Sequence, residues 1–352
     1  MPVGKYSVYS PNEFLLKTSS ECFIIYVKSK VLKRMESYRA KNDSLHRQRK
    51  LLLPVSGGVS SVVLLQVLDS HIQKQLASRG RAAYDLHVLI VDTSCIDQSP
   101  VTVESFGCFK EAFPSHHVSL LSLDAVLQMD NDVHAALSKL GFQKQGHEEP
   151  EAELQRLMKF AMTPTTRSDL FEILLLRLIV AFAKSQDCEG ILWGHSDSRL
   201  AATALSNVAK GRGAALPNQI GDGLSPWGIY FNYPLRDLFK SELELYSSLL
   251  STQLSKIIVP DPPTPTTSSI RETSIGDLLT NYINSQGAKY PSIMANVVRT
   301  ASKLQMPATA EADVACSLCA MPVTTMIGER SQTALCYGCL KIKAEIKPTN
   351  IA

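Results

Sequence analysis

Residues 51–68 constrain the fold of this chain more than any other stretch. A short apolar run, Leu51-Leu52-Leu53-Pro54-Val55, enters Ser56-Gly57-Gly58-Val59-Ser60-Ser61, and a longer apolar run, Val62 to Leu68, leaves it. The pattern predicts a buried strand, a small-residue turn and the start of a helix. Such a turn can cradle phosphate. Glycine lets backbone N–H groups approach an anion, and the helix N-terminus adds partial positive charge. The same turn also serves packing alone in many α/β proteins, so the loop by itself leaves both readings open.

Downstream, strand and helix patterns alternate. Asp85 to Asp92, Val118 to Leu123 and Gly190 to Trp193 read as strands. Pro100 to Phe113, Ser168 to Ser185 and Arg199 to Lys210 read as helices, the last stopped at Gly211-Arg212-Gly213. This alternation predicts an α/β class: a Rossmann-like domain whose parallel sheet is covered on both faces. Residues 141–166 are polar, with Glu148, Glu149, Glu151 and Glu153, and read as an inserted lid or a partly mobile excursion. Tyr233-Pro234-Leu235-Arg236 precedes a further helix carrying Glu242 and Tyr246. Four prolines between Pro260 and Pro265 then break the pattern. Two short amphipathic helices follow, over residues 274–284 and 292–304. The expected organisation is a basic helical segment (1–50), the α/β domain (51–258), a Pro/Thr/Ser-rich linker (259–273), a helical segment (274–312) and a four-cysteine zinc ribbon (313–345).

Charge is unevenly distributed. Between Lys28 and Lys50 there are nine basic and two acidic residues, a net +7 in a chain of net +3, so the remainder carries −4. Ile24 to Ala40 has helical spacing, with Ile25, Lys28, Leu32, Met35 and Tyr38 expected near one another on the surface. A basic helix leading into a phosphate-binding domain fits contact with a polyanion such as RNA, through Lys28, Lys30, Lys33, Arg34, Arg39 and Lys41. A solvated entry helix is the alternative. The most apolar run, Leu170 to Ala183, is interrupted by Glu172 and Arg177 and is too short to span a bilayer. No secretory signal is visible, and the expectation is a soluble, non-membrane protein.

Eight cysteines divide into four scattered ones (Cys22, Cys95, Cys108, Cys188) and one block. Cys316-Ser317-Leu318-Cys319 and Cys336-Tyr337-Gly338-Cys339 are separated by sixteen residues. Each Cys-x-x-Cys supplies two thiolates from a tight turn, and two such knuckles on a short hairpin close a tetrahedral zinc site. Four thiolates leave no position for catalytic water, so the zinc is structural; a redox pair is the rival reading. About thirty-five residues hardly bury a core unaided, so metal binding would carry much of this block's folding. Cys22, without a neighbouring cysteine, reads as a small core residue.

The order of landmarks carries a resemblance. The 56–61 loop, Asp92, Gly194-His195-Ser196-Asp197-Ser198, Asn207, Gly211, Pro234-Leu235-Arg236 and Glu242 resemble the PP-loop ATP-pyrophosphatases that modify tRNA. Within them the chain is similar to the second-subunit family of the eukaryotic cytoplasmic tRNA 2-thiolation complex. The resemblance implies a cytoplasmic heterodimer with a catalytic PP-loop subunit. It implies 2-thiolation of the wobble uridine of the tRNAs for lysine, glutamine and glutamate, with sulfur from a thiocarboxylated ubiquitin-like carrier. It also implies nucleotide-binding positions at Ser56, Gly57, Gly58, Ser60, Ser61, Asp92, Gly194 and His195, although His195 reads equally as a packed histidine.

The departures from the family pattern bear on activity. The PP-loop usually reads Ser-Gly-Gly-x-Asp-Ser, often with lysine at x, where this chain has Val59 and Ser60. Catalytic subunits carry a central Cys-x-x-Cys, but Thr163 to Phe171 contains no cysteine. Ser198 replaces the second aspartate of an acidic pair, leaving magnesium few ligands. Residues 1–20 offer no cysteines for the family's N-terminal zinc site. These departures make ATP and magnesium binding weak or vestigial and leave no assigned catalytic residue. The favoured reading is a tRNA-binding, partner-activating subunit; the alternatives are an active enzyme with an unusual loop and a purely structural RNA-binding module.

Overall fold

The computed structural model describes residues 19–38, 49–96, 103–250, 257–259, 273–287, 289–304, 315–323 and 335–346. Arg39, Lys41 and residues 260–272 of the expected linker lie outside the described residues.

Among the described residues six strands form one sheet: β1 (Arg49–Pro54), β2 (Tyr84–Asp92), β3 (His117–Ser122), β4 (Gly190–Leu192), β5 (Gly223–Leu224) and β6 (Tyr230–Asn232). Their order is β3-β2-β1-β4-β6-β5, with every pairing parallel except β5 with β6. β5 and β6 escaped the sequence reading because at two and three residues they are too short to show a period.

The strands are apolar on both faces because both are covered. Leu51 and Leu53 point into a cluster with Val27, Val31, Leu64 and Leu68, whereas Leu52 points into the opposite cluster with Ile179, Ile191 and Ala201. β2 alternates likewise, Val88 and Ile90 to the first face and Leu89 to the second. Helices Ser20–Arg34, Val59–Arg79 and Lys240–Leu249 contribute to the first layer. Pro164–Ser185, Asp197–Ala209, Ile275–Gly287 and Pro291–Ser302 contribute to the second.

Three expectations are corrected. The first concerns the basic helix, which spans Ser20–Arg34 and buries Phe23, Val27 and Val31. This stripe at four-residue spacing continues into buried Met35 and Tyr38, leaving Ile25 at 62% exposure. The longest continuous apolar stripe takes the core, so Met35 and Tyr38 are not surface residues.

The second correction concerns residues 141–166, which are no lid. Helix Pro150–Phe160 packs Leu154, Leu157 and Met158 against Leu170, Ile173 and Leu174. Its apolar residues at i, i+3 and i+4 outweigh the glutamates between them, and Glu153 itself is buried 3.4 Å from His134. Third, Cys22 is exposed rather than packed.

Candidate functional site

β1 lies between β2 and β4: the chain runs from β1 outward to β2 and β3 on one side and then crosses to β4 on the other. That reversal of strand order opens a crevice beyond the carboxyl ends of β1 and β4, the usual ligand position in a sheet of this kind. The 56–61 loop sits there. Gly57 has φ +76°, a left-handed conformation that glycine adopts without steric cost. Gly58 is the extended N-cap of helix Val59–Arg79. First-turn N–H groups of that helix have no intrahelical acceptor and point toward the crevice. The Ser61 hydroxyl turns inward, donating to the Gly58 carbonyl at 2.9 Å, with Ser56 Oγ 3.5 Å away. From below, the Val259 N–H donates to the Gly57 carbonyl at 3.0 Å.

Gly194, just past β4, closes the other wall. A Cβ there would lie 2.8 Å from Ser61 Cα and 3.0 Å from its Cβ, so only glycine permits this approach. The tertiary fold thus brings Gly194 against the 56–61 loop across 133 residues of sequence. Asp92 ends β2, beside β1, and accepts the Ser94 N–H at 2.9 Å. His195 lies between the rings of Trp193 and Tyr233, at 5.6 and 5.7 Å. Burial, with a smaller effect from Arg199, lowers its pKa to about 3, so the ring is neutral. Its buried Nδ1 has no hydrogen-bond partner among the described residues.

Asp197 stands in the Gly194–Ser198 landmark but is not among the binding positions expected from sequence. It is buried at the first position of helix Asp197–Ala209, and burial, followed by Asp237, raises its pKa to about 7. Glu242, packed nearby, is raised by burial and accepts from Tyr26 Oη at 3.3 Å.

The basic helix presents its charges unequally. Lys33 is exposed, and Lys30 lies 5.4 Å from the Tyr26 ring centre. Burial, with Lys74 second, lowers the Lys28 pKa. Arg34 is committed to Asp237, at 2.6 Å, and stands 3.8 Å from Asp222. Within the described part of the predicted patch, the lysines are the groups left for phosphate.

The four cysteines of the C-terminal block converge. Their sulfurs all lie within 4.8 Å of one another, with Cys319 and Cys336 3.6 Å apart. Zinc–sulfur bonds of about 2.3 Å require sulfurs roughly 3.8 Å apart in a tetrahedron, so the quartet fits zinc. In the first knuckle the Cys316 N–H donates to Met321 O at 2.8 Å and the Ala320 N–H to Cys316 O at 2.7 Å. The second knuckle differs from the expected hairpin: Cys336 caps helix Tyr337–Glu345, with Cys339 in its first turn.

This block is built into the main core. Cys316, Leu318, Cys319 and Cys339 share one apolar cluster with Leu170, Leu174 and Leu178. Buried Arg177 donates from Nη1 to Ser317 O at 3.0 Å and Leu318 O at 2.8 Å, while its Nε lies 2.7 Å from Asp130. At the start of the same helix, Thr163 Oγ1 donates to Glu345 at 2.7 Å, and Thr166 Oγ1 donates to the same carboxylate oxygen.

Residues 274–334 match the family model described as cytoplasmic tRNA 2-thiolation protein 2. A relative of that name from Ajellomyces capsulatus (strain NAm1 / WU24) is 42% identical, covering 92% of this chain and 96% of its own. The chain belongs to the cytoplasmic tRNA 2-thiolation protein 2 family. A second member, from Coccidioides immitis (strain RS), is 44% identical over 94% of this chain and 93% of its own. Among solved structures, a U34-tRNA thiolase from Methanococcus maripaludis, with its 4Fe-4S cluster, superposes with a TM-score of 0.54. It is 16% identical and covers 87% of this chain and 86% of that one. At that identity the likeness establishes the fold, an α/β domain of PP-loop type with a mostly parallel sheet. Among the described residues no helix is long and apolar enough to cross a membrane.

Proposed function

We propose that this chain acts in the cytoplasm in 2-thiolation of the tRNA wobble uridine, as the tRNA-binding, partner-activating subunit of a heterodimer whose catalytic subunit is a related PP-loop protein. Family membership supports the thiolation role. The observation that carries the division of labour is the start of helix Pro164–Ser185. There the hydroxyls of Thr163 and Thr166 are both spent on Glu345, and no cysteine stands between Thr163 and Phe171. Sulfur carried on cysteine, or on a cluster that cysteine ligates, needs thiolates at the site, and this stretch supplies none.

The nucleotide loop supports the same reading. Backbone donors at residues 57–60 suit phosphate, but Ser56 to Ser61 carry no lysine or carboxylate to neutralise a triphosphate or hold magnesium. Phosphate held there would be bound by main chain and by the helix N-terminus, with Asp92 at the end of the neighbouring strand and His195 following Gly194. The cysteine quartet holds structural zinc, since four thiolates complete its coordination. Lys28, Lys30 and Lys33 contact tRNA phosphate, and the sulfur arrives on the catalytic partner from a thiocarboxylated ubiquitin-like carrier.

Reconstitution tests this. Thiolation of the tRNAs for lysine, glutamine and glutamate is measured with this chain alone, the partner alone and both together. Activity should need both. Thiolation by this chain alone, with pyrophosphate release, would overturn the non-catalytic assignment; full-rate thiolation by the partner alone would overturn the requirement for this subunit.

A further inference from the structure

The loop after helix Asp197–Ala209 interlocks with the second cysteine knuckle. A Cβ on Gly211 would stand 2.4 Å from the Tyr337 ring, and one on Gly338 would stand 2.6 Å from Arg212 Nε and 2.9 Å from its Cζ. The Arg212 guanidinium therefore lies directly on Gly338, the residue between Tyr337 and Cys339. Its Nη1 donates to Asp169 Oδ2 at 2.6 Å. Its Nε and Nη2 are buried with no hydrogen-bond partner among the described residues. Two orphaned donors on one buried cation are costly unless negative charge lies close, and Gly338 sets the guanidinium one residue from the Cys339 ligand.

The local charges place a buried cation against the metal ligands. Lys210 Nζ sits 2.6 Å from Asp169 Oδ1, so Asp169 is shared by two buried cations. Lys210 also faces Glu172 at 3.6 Å, so the two carboxylates balance the two cations, and the Arg212 guanidinium is the positive group that meets the knuckle at Gly338. Four thiolates around a zinc dication carry a formal charge of about −2. The two groups are complementary and in contact through Gly338.

We propose that Arg212 is a positioning residue of the cysteine metal centre: its guanidinium, seated on Gly338 beside Cys339, offsets the charge of the ligating sulfurs, while Asp169 holds it in place. This rests on metal occupancy of the quartet. An outer-shell cation of this kind offsets charge on the ligating sulfurs and slows their protonation and release. Because Asp169 belongs to helix Pro164–Ser185 and Arg212 follows helix Asp197–Ala209, metal binding is tied to the α/β core rather than to an appendage.

The test uses the full chain and its Arg212→Gln and Arg212→Lys variants. Metal per chain is measured by elemental analysis, then the rate of zinc loss to a chromogenic chelator at fixed pH. Wild type should hold one zinc, and Arg212→Gln should release it about 10–100-fold faster. Arg212→Lys keeps a cation beside Asp169 but loses the planar fork, so it should fold with near-native melting and still release zinc faster than wild type. Wild-type release rates in folded Arg212→Lys and Arg212→Gln would overturn the proposal. Wild-type protein without zinc would instead overturn the metal reading beneath it.

Discussion

Three glycines around the nucleotide loop should respond differently to the same added methyl group. In Gly194→Ala the new Cβ meets Ser61 Cα at 2.8 Å, Cβ at 3.0 Å and N at 3.3 Å. These are main-chain or first side-chain atoms, so no rotamer change relieves them; the strand-end loop or the helix start must move. Overpacking of this kind costs roughly 1–3 kcal/mol, or about 2–12 °C in Tm at 2–4 °C per kcal/mol. Gly57→Ala meets a different penalty, since φ is +76° and a Cβ there costs about 1–2 kcal/mol. Gly58→Ala meets neither: φ is −66° and the nearest atom is Ser56 Oγ at 3.5 Å. Its lower unfolded-state entropy, worth about 0.4–1 kcal/mol, roughly offsets alanine's weakness at an N-cap. Urea and thermal melts of the three variants, with thiolation in the reconstituted complex, test the series. Stability should fall in Gly194→Ala and Gly57→Ala and stay near wild type in Gly58→Ala. Equal stability of Gly194→Ala and Gly58→Ala would refute the idea that the Ser61–Gly194 approach fixes the crevice.

Asp197 should make stability depend on pH. Its pKa is raised from 3.8 to about 7 by burial, then by Asp237, so the folded state takes up a proton and stability falls as pH rises through that window. Asp197→Asn should therefore be stabilised relative to wild type at pH 8 and not at pH 4; a pH-independent difference in urea midpoint would count against the buried charge. Cys316→Ala with Cys336→Ala should abolish zinc binding and lower the Tm of the α/β core as well, because Cys316, Cys319 and Cys339 share a cluster with Leu170 and Leu174. An unchanged core melt in the metal-free variant would show that the block folds apart. Replacing Lys28, Lys30 and Lys33 by glutamine should weaken tRNA binding and reduce the salt slope by about one per lost phosphate contact. Arg34→Gln should act on stability instead, through Asp237 at 2.6 Å, and leave the slope unchanged in filter-binding titrations.

Sequence alone determined the parts whose signal is local. The strand–turn–helix at residues 51–68 declares itself because apolar runs and small residues are contiguous, and the cysteine quartet because metal ligation fixes ligand type and spacing. The alternation of β2, β3 and β4 with helices was likewise enough to predict a parallel sheet covered on both faces. Tertiary structure decided what depends on contacts between distant residues. Val27, Val31, Met35 and Tyr38 take the core because they form the continuous stripe that meets the first face of the sheet, which turns the basic helix to a different face than its charges implied. Helix Pro150–Phe160 is core because Leu170 and Leu174 exist to receive Leu154 and Leu157, a partnership invisible within an acidic stretch. The closure of Thr163 and Thr166 by Glu345, and the meeting of Arg212 with Gly338, join residues 126 or more positions apart. No periodicity encodes such pairs, because burial energy and hydrogen-bond satisfaction act on proximity in space, and proximity is settled only when the whole core has packed.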